Sequence, residues 1–218
     1  TSHWLVKAEP LPRLVKGIDV AFSVDRFEKE KVCSWEGVRN YQARKYLRDQ
    51  MKTGHRVLFY HSSCKVPGIV AFASVCKDGY PDNTAWEPDH PYFDPRSDPK
   101  APQWYMVDLQ FEGRLTHPVP LGVLKHLTSS DLSDAQREDV KYLSEDHLLA
   151  VANMLLLNRS RLSVQVRKKL SDLAVEYMAF EAIMLLGQRG GFMNWPGKWS
   201  RTNTPDESIP PSRKRRRS

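Results

Sequence analysis

No apolar run in the 218-residue chain approaches the roughly 20 residues that a bilayer-crossing helix requires. The densest stretch, 148–157, is short and broken by Asn153, so no membrane partner is expected. A charged-then-apolar leader is also missing at the start, although the chain opens on Thr1 rather than Met and an upstream segment is left open. Cysteine is scarce: Cys33, Cys64 and Cys76 are odd in number and far apart. That spacing suits neither a zinc site nor a disulfide framework, and three ordinary thiols in cytosol or nucleus fit it best. The sequence also lacks G-x-S-x-G, H-E-x-x-H, Walker and dinucleotide signatures. His61 and Cys64 stand three apart across a turn with no third group to orient them, so a nucleophile–base pair is a weak reading. No catalytic residue, metal or cofactor is expected.

Positive charge is present but unevenly spread. Of the net +7, five come from the run Arg213-Lys214-Arg215-Arg216-Arg217, leaving only +2 for everything before it. The folded part is therefore only mildly basic, which suits a small footprint better than a long phosphate groove. A block of like charges in a polar, Pro-containing tail is typical of nuclear import signals and of nucleic-acid arms. Import is the favoured reading, with an import receptor as partner and the nucleus as location.

Along the chain, residues 3–8 alternate around apolar positions and predict a first strand stopped by Glu9-Pro10. Residues 22–27 read as a turn or single helical turn capped by Ser23, and 33–40 as a loop leading into a helix. Asn40 is the N-cap candidate for that helix. Ala43, Tyr46, Leu47 and Met51 follow at helical spacing, with Arg44, Lys45 and Arg48 opposite. Residues 57–61 and 68–76 read as strands. Residues 80–102, dense in proline and aspartate, read as a long irregular loop. Strands at 104–111 and 115–119, helices at 121–127 and 144–157, and a strand at 161–165 come next. A final amphipathic helix from Leu170 is expected to stop at Gly187, Gly190 and Gly191. About six short strands with intervening helices make this an α+β protein with a curved sheet or partly open β-barrel, plus a C-terminal helix and a disordered basic tail. The expected divisions are 1–167, 168–199 and 200–218.

Several short segments resemble the EVE family in order and spacing. They are Ser2-His3-Trp4-Leu5-Val6-Lys7-Ala8-Glu9-Pro10, Trp35-Glu36-Gly37-Val38-Arg39-Asn40-Tyr41-Gln42-Ala43-Arg44 and Phe59-Tyr60-His61-Ser62, followed by Pro67-Gly68-Ile69, Tyr92-Phe93-Asp94-Pro95, Trp104-Tyr105-Met106-Val107-Asp108-Leu109 and Arg161-Leu162-Ser163-Val164-Gln165. Each is weak alone; the ordered set, covering about residues 2–166, is specific. The resemblance implies a PUA-like fold, kinship with YTH readers of methylated adenine, and recognition of 5-methylcytosine or its oxidised forms, such as 5-hydroxymethylcytosine. The pattern departs from the family after Gln165, where Val166-Arg167-Lys168-Lys169 leads into a longer helix.

The chemistry of base reading points to particular residues. A base taken out of the stack is held on aromatic faces while polar groups meet its Watson–Crick edge. Trp35 stands beside Gly37 at a loop-to-helix junction, and Arg39 with the helix start near Asn40 suits a phosphate. Tyr60, His61 and Ser62 lie where a strand enters a turn; Lys7 and Glu9 end the first strand and are placed at the same mouth. Arg161 completes the set. Bland readings stand beside these. Trp35 and Tyr60 are equally core aromatics, Asn40 a helix cap, and Arg39, Arg44, Lys45 and Arg48 a solvated helix face. His61 is equally a packed histidine, and Arg161 a partner for a carboxylate. Nucleic acid, DNA before RNA, bound by a monomer is the favoured function. RNA binding and a protein-interaction role for 80–102 or the last helix are the alternatives.

Overall fold

The computed structural model describes residues 2–129, 131–158, 164–165, 173–197 and 199. In chain order its elements are β1 (His3–Ala8), β2 (Leu14–Val15), β3 (Ile18–Asp19), α1 (Val24–Glu30), β4 (Val32–Ser34), α2 (Tyr41–Lys45), β5 (Arg56–His61), β6 (Gly68–Pro81), β7 (Tyr105–Pro120), α3 (Leu121–Leu127), α4 (Asp134–Asp139), α5 (Glu145–Ala152), α6 (Leu155–Asn158), β8 (Val164–Gln165) and α7 (Leu173–Arg189). Six strands form one mixed sheet in the order β4-β7-β6-β5-β1-β8, and β2 and β3 form a separate hairpin. β1 lies parallel to β5 and antiparallel to β8; the other neighbours are antiparallel. The sheet stays open, with β4 and β8 at its edges.

Alternation along β1 explains its placement between two cores. Trp4, Val6 and Ala8 face one side, where Val57, Phe59, Ala71 and Ala73 meet Phe27 of α1 and Leu47 just beyond α2. Leu5 faces the other side, with Leu58, Tyr60, Ile69 and Val119 under the helices α3, α5 and α7. Ser23 caps α1 by accepting from the Arg26 N–H, as its position before an amphipathic run predicts.

Four departures from the sequence reading concern continuity. Residues 104–111 and 115–119 are one strand, because register shifts in the β6–β7 pairing absorb the faltering alternation around Gly113. β6 likewise persists to Pro81, so the irregular segment begins later than expected. Residues 33 and 34, expected in a loop, belong to the edge strand β4 on β7. The expected helix 144–157 is two, α5 and α6, separated at Asn153, and α4 and the β2–β3 hairpin carry no periodic signal at all.

Gly187 lies inside α7 rather than ending it. A Cβ there would come within 2.7 Å of the Leu115 side chain, so the glycine lets the helix sit tightly on β7. The helix ends at Gly190, whose φ of 67° suits glycine and whose N–H donates to the Leu186 carbonyl at 2.8 Å. Ile183 and Leu186 are fully buried. The helix therefore closes the second core by packing on α5 and β7.

Candidate nucleic-acid interface

Beyond β4 the chain still follows β7: the Trp35 N–H donates to the Val107 carbonyl at 2.7 Å. Gly37 then takes a φ of 74° and donates its N–H to Asp82 at 2.9 Å. Only glycine fits here, since a Cβ would stand 2.3 Å from the Tyr92 ring. Asp82 is fully buried and collects further bonds from Arg39 Nη1 at 2.7 Å and from the Thr84 N–H and hydroxyl at 3.1 and 2.5 Å. Arg39 also donates from Nε and Nη2 to the Tyr92 carbonyl, at 2.9 and 2.5 Å. A buried carboxylate and a planar guanidinium thus join segment 35–40 to segment 82–92. A second buried carboxylate, Asp94, anchors the next turn by accepting from Trp104 Nε1 at 2.8 Å and the Arg96 N–H at 3.0 Å. Those hydrogen bonds hold its carboxyl below the usual range.

The frame encloses a cleft of about 900 Å³. Lys7, Trp35 and Tyr60 form its inner wall, the β2–β3 hairpin one rim, and His90 and Tyr92 the other. Four basic residues (Lys7, Arg13, Arg26, Arg39) and four acidic ones (Glu9, Asp19, Glu30, Glu36) line it. Most are mutually engaged: Arg13 with Glu9 and Arg26 with Glu30, each at 2.7 Å, besides Arg39 with Asp82. The cleft is therefore balanced in charge, suited to a polar, uncharged group rather than a phosphate.

Several lining groups are tuned by burial. Desolvation lowers the Lys7 ammonium, which lies 5.6 Å from the centre of the Tyr60 ring, and pushes the Tyr60 phenol up to about 12. The Glu36 carboxyl is raised, chiefly by desolvation and also by Asp82 and Glu87, while His90 acts against the rise. His90 Nε2 lies 3.4 Å from Glu36, and its ring tilts against Tyr92. An amine-bearing heterocycle would meet an acceptor at Glu36 and a donor at Lys7.

Of the residues singled out from sequence, Lys7, Glu9, Trp35, Arg39, Tyr60 and Ser62 line this one cleft. Trp35 does not project into solvent. It is 9% exposed and meets Phe22 and Phe59 edge to face, both at 6.0 Å. Tyr60 is likewise a buried wall residue, and the Ser62 hydroxyl donates to the Ala8 carbonyl at 3.0 Å. Arg39 lines the cleft with its guanidinium committed to Asp82 and Tyr92. Asn40 and His61 lie elsewhere. Asn40 accepts from the Gln42 and Ala43 N–H groups at 2.9 and 3.0 Å, capping α2. His61 Nε2 accepts from the Val24 N–H at 3.0 Å, and burial lowers its imidazole to about 4. Arg161 and the run Arg213-Lys214-Arg215-Arg216-Arg217 lie outside the described residues. The reading missed Arg13, Glu36, Asp82, His90 and Tyr92. Glu36 and Tyr92 sit within the recognised segments, whereas nothing in the local pattern marks Asp82.

An open mixed sheet with a walled, charge-balanced cleft has the form of a ligand-binding module. Cys33, the cysteine in its wall, has its thiol pushed up to about 12 by burial and is a poor nucleophile. The chain belongs to the EVE domain family, whose model matches residues 2–173. It is 41% identical over 168 residues to human thymocyte nuclear protein 1, covering 76% of this chain and 68% of that protein. Against the Gallus gallus protein of the same name it is 42% identical over 167 residues, covering 75% of this chain and 62% of the relative. The chain thus spans 62–68% of the length of these relatives. Its structure is similar, with a TM-score of 0.64 and 38% identity, to the crystal structure of human THYN1 protein in complex with DNA containing 5-methylcytosine; 82% of this chain and 98% of that one are covered.

Proposed function

We propose that this chain is a nuclear, monomeric reader of nucleic acid, DNA before RNA, that holds one modified cytosine in its cleft. The observation that carries the reading is the cleft itself. Its volume of about 900 Å³ lies within the range of small-molecule sites. Its wall of Trp35 and Tyr60 offers aromatic contact to a base, and its balanced charge favours the base over the phosphates. Glu36 is placed to accept from the exocyclic amine of cytosine, the pairing expected between a carboxylate and that group. Lys7 donates to the opposite part of the edge. The solved complex of human THYN1 with 5-methylcytosine DNA supports the same ligand class. The basic run 213–217 then serves import, and an import receptor is its partner.

The test is a titration against short labelled oligonucleotides that differ at one central cytosine: unmodified, 5-methyl, 5-hydroxymethyl, 5-formyl or 5-carboxyl, each as DNA and as RNA. Preference for a modified cytosine that falls at least tenfold in Glu36→Gln, and persists when residues 200–218 are removed, is the expected result. Equal weak binding to every oligonucleotide, abolished by removing 200–218, would sink the reading.

A further inference from the structure

The rim hairpin has an unusual surface. Seven large apolar side chains are exposed among the described residues, and three of them, Leu11 at 55%, Leu14 at 71% and Ile18 at 47%, fall within eight residues of one another here. Scattered exposed leucines need no explanation, but a cluster beside a binding cleft marks a contact surface. Among the described residues the hairpin belongs to no larger sheet and pairs only Leu14 with Asp19 and Val15 with Ile18. Such a two-stranded ribbon is marginal in water unless something else holds it.

Three devices hold it. The tip, Lys16-Gly17, has φ values of 51° and 81°, the left-handed pair that closes a tight two-residue turn. Asp19 accepts from the Arg13 and Ala21 N–H groups at 2.9 and 3.0 Å, locking the base of the ribbon. Lys16 Nζ crosses to the opposite rim and donates to the Pro88 and His90 carbonyls at 3.0 and 3.2 Å, 5.1 Å from the centre of the Phe93 ring. The ribbon is therefore fixed in place while its aliphatic side chains stay in water, the state of a surface built before its partner arrives.

We propose that this hairpin is a duplex wedge, with Leu11 and Leu14 entering the base stack beside the modified cytosine while that base occupies the cleft. The inference rests on the base-reading function above. Continuity points to the partner: Arg13, Ile18 and Asp19 line the cleft and Leu14 pairs with Asp19 across the hairpin, so a strand that delivers a base into the cleft comes close to Leu14. Charge agrees at the tip, where the Lys16 ammonium is held by two carbonyl oxygens and not by a carboxylate, and so keeps its positive charge unneutralised. Extruding a paired base loses its stacking and pairing, and apolar side chains that fill the vacated step restore contact to the flanking bases. A single strand needs no such help, which separates the wedge from the pocket.

The experiment uses the full chain and Leu11→Ser/Leu14→Ser, two exposed positions outside the cleft wall, with thermal melts to verify folding. The probes are a DNA duplex with one central 5-methylcytosine flanked by 2-aminopurine, and the same strand unpaired. The unaltered chain is expected to bind both and to raise 2-aminopurine fluorescence in the duplex. The double variant is expected to lose at least tenfold on the duplex, without the fluorescence rise, and less than twofold on the single strand. Leu14→Phe alone should keep duplex binding. Unchanged duplex affinity and fluorescence in the double variant would overturn the wedge and leave the base reader intact, as would equal losses on both probes or a wild-type chain that binds only the single strand. A wild-type chain indifferent to cytosine methylation on either probe would overturn the base reader itself and the wedge with it.

Discussion

The two faces of the sheet are held by different means. On the helical face, aliphatic side chains such as Ile69, Val119, Leu124, Ile183 and Leu186 are buried against one another, and adhesion is spread over many small contacts. On the other face, aromatics such as Trp4, Phe27, Trp35 and Phe59 fill the core, and the adjoining frame of the cleft hangs on a few directed bonds to Asp82 and Asp94. Damage to the first is graded and costs stability. Damage to the second changes the shape of the site. A cavity deep on the helical face should therefore cost stability alone, whereas a lost bond at the cleft frame should cost both stability and the shape of the site.

The largest blow to this contrast should come from Asp82→Ala. It strands Arg39 and frees the Gly37 and Thr84 donors, and removing one partner of a buried pair costs about 3–5 kcal/mol. With about 2–4 °C per kcal/mol for a chain of this size, calorimetry should show a fall of about 6–20 °C, together with lost base preference in the titration. Leu186→Ala, on the other face, should cost about 2–5 kcal/mol through an unfilled cavity. Its preference among cytosine forms should be unchanged at temperatures where it is folded; an altered preference would break the separation of the faces. Gly37→Ala is expected to cost about 1–3 kcal/mol through its left-handed backbone, and to weaken base binding more than its stability loss explains because it displaces Tyr92.

The smallest effect is one of pH. Burial lowers His61 and His3 to about 4, against ordinary values near 6.5. The unfolded chain therefore takes up protons first, so stability is full above about pH 6.5 and declines as pH falls toward 4. Melting temperatures between pH 7 and 5 should drop less in His61→Gln, which keeps an acceptor for the Val24 N–H. The drop should not vanish, since His3 still titrates. An identical slope in the variant would show that His61 contributes nothing.

The contrast also explains what sequence could show. Ser23 and Asn40 announce their helices because a cap and an amphipathic run are neighbours in the chain. β1 is read as a strand for the same local reason. The polar frame of the cleft is hidden because its bonds join residues 43 to 53 positions apart: Arg39 gives no local sign that Asp82 and Tyr92 are its partners. The hairpin is invisible to a period-2 search because each of its strands has two residues. Gly187 looks like a stop signal and is instead a point of close approach, a distinction set by Leu115 of β7 and not by the helix. Six of the nine base-site candidates share the cleft, yet the ordered EVE-like segments mark the neighbourhood better than they mark the contact atoms.

One consequence of the strand order concerns synthesis. β1 pairs with β5 through Leu5 and Leu58, and with β8 through Leu5 and Gln165. β1 must therefore wait for a partner some 50 residues later and for another near residue 165. Such distant pairings are slow to form and leave an apolar strand unpaired in the meantime. The nascent chain can add β5, β6 and β7 in turn, but the β1 edge stays open until residues 164–165 have emerged.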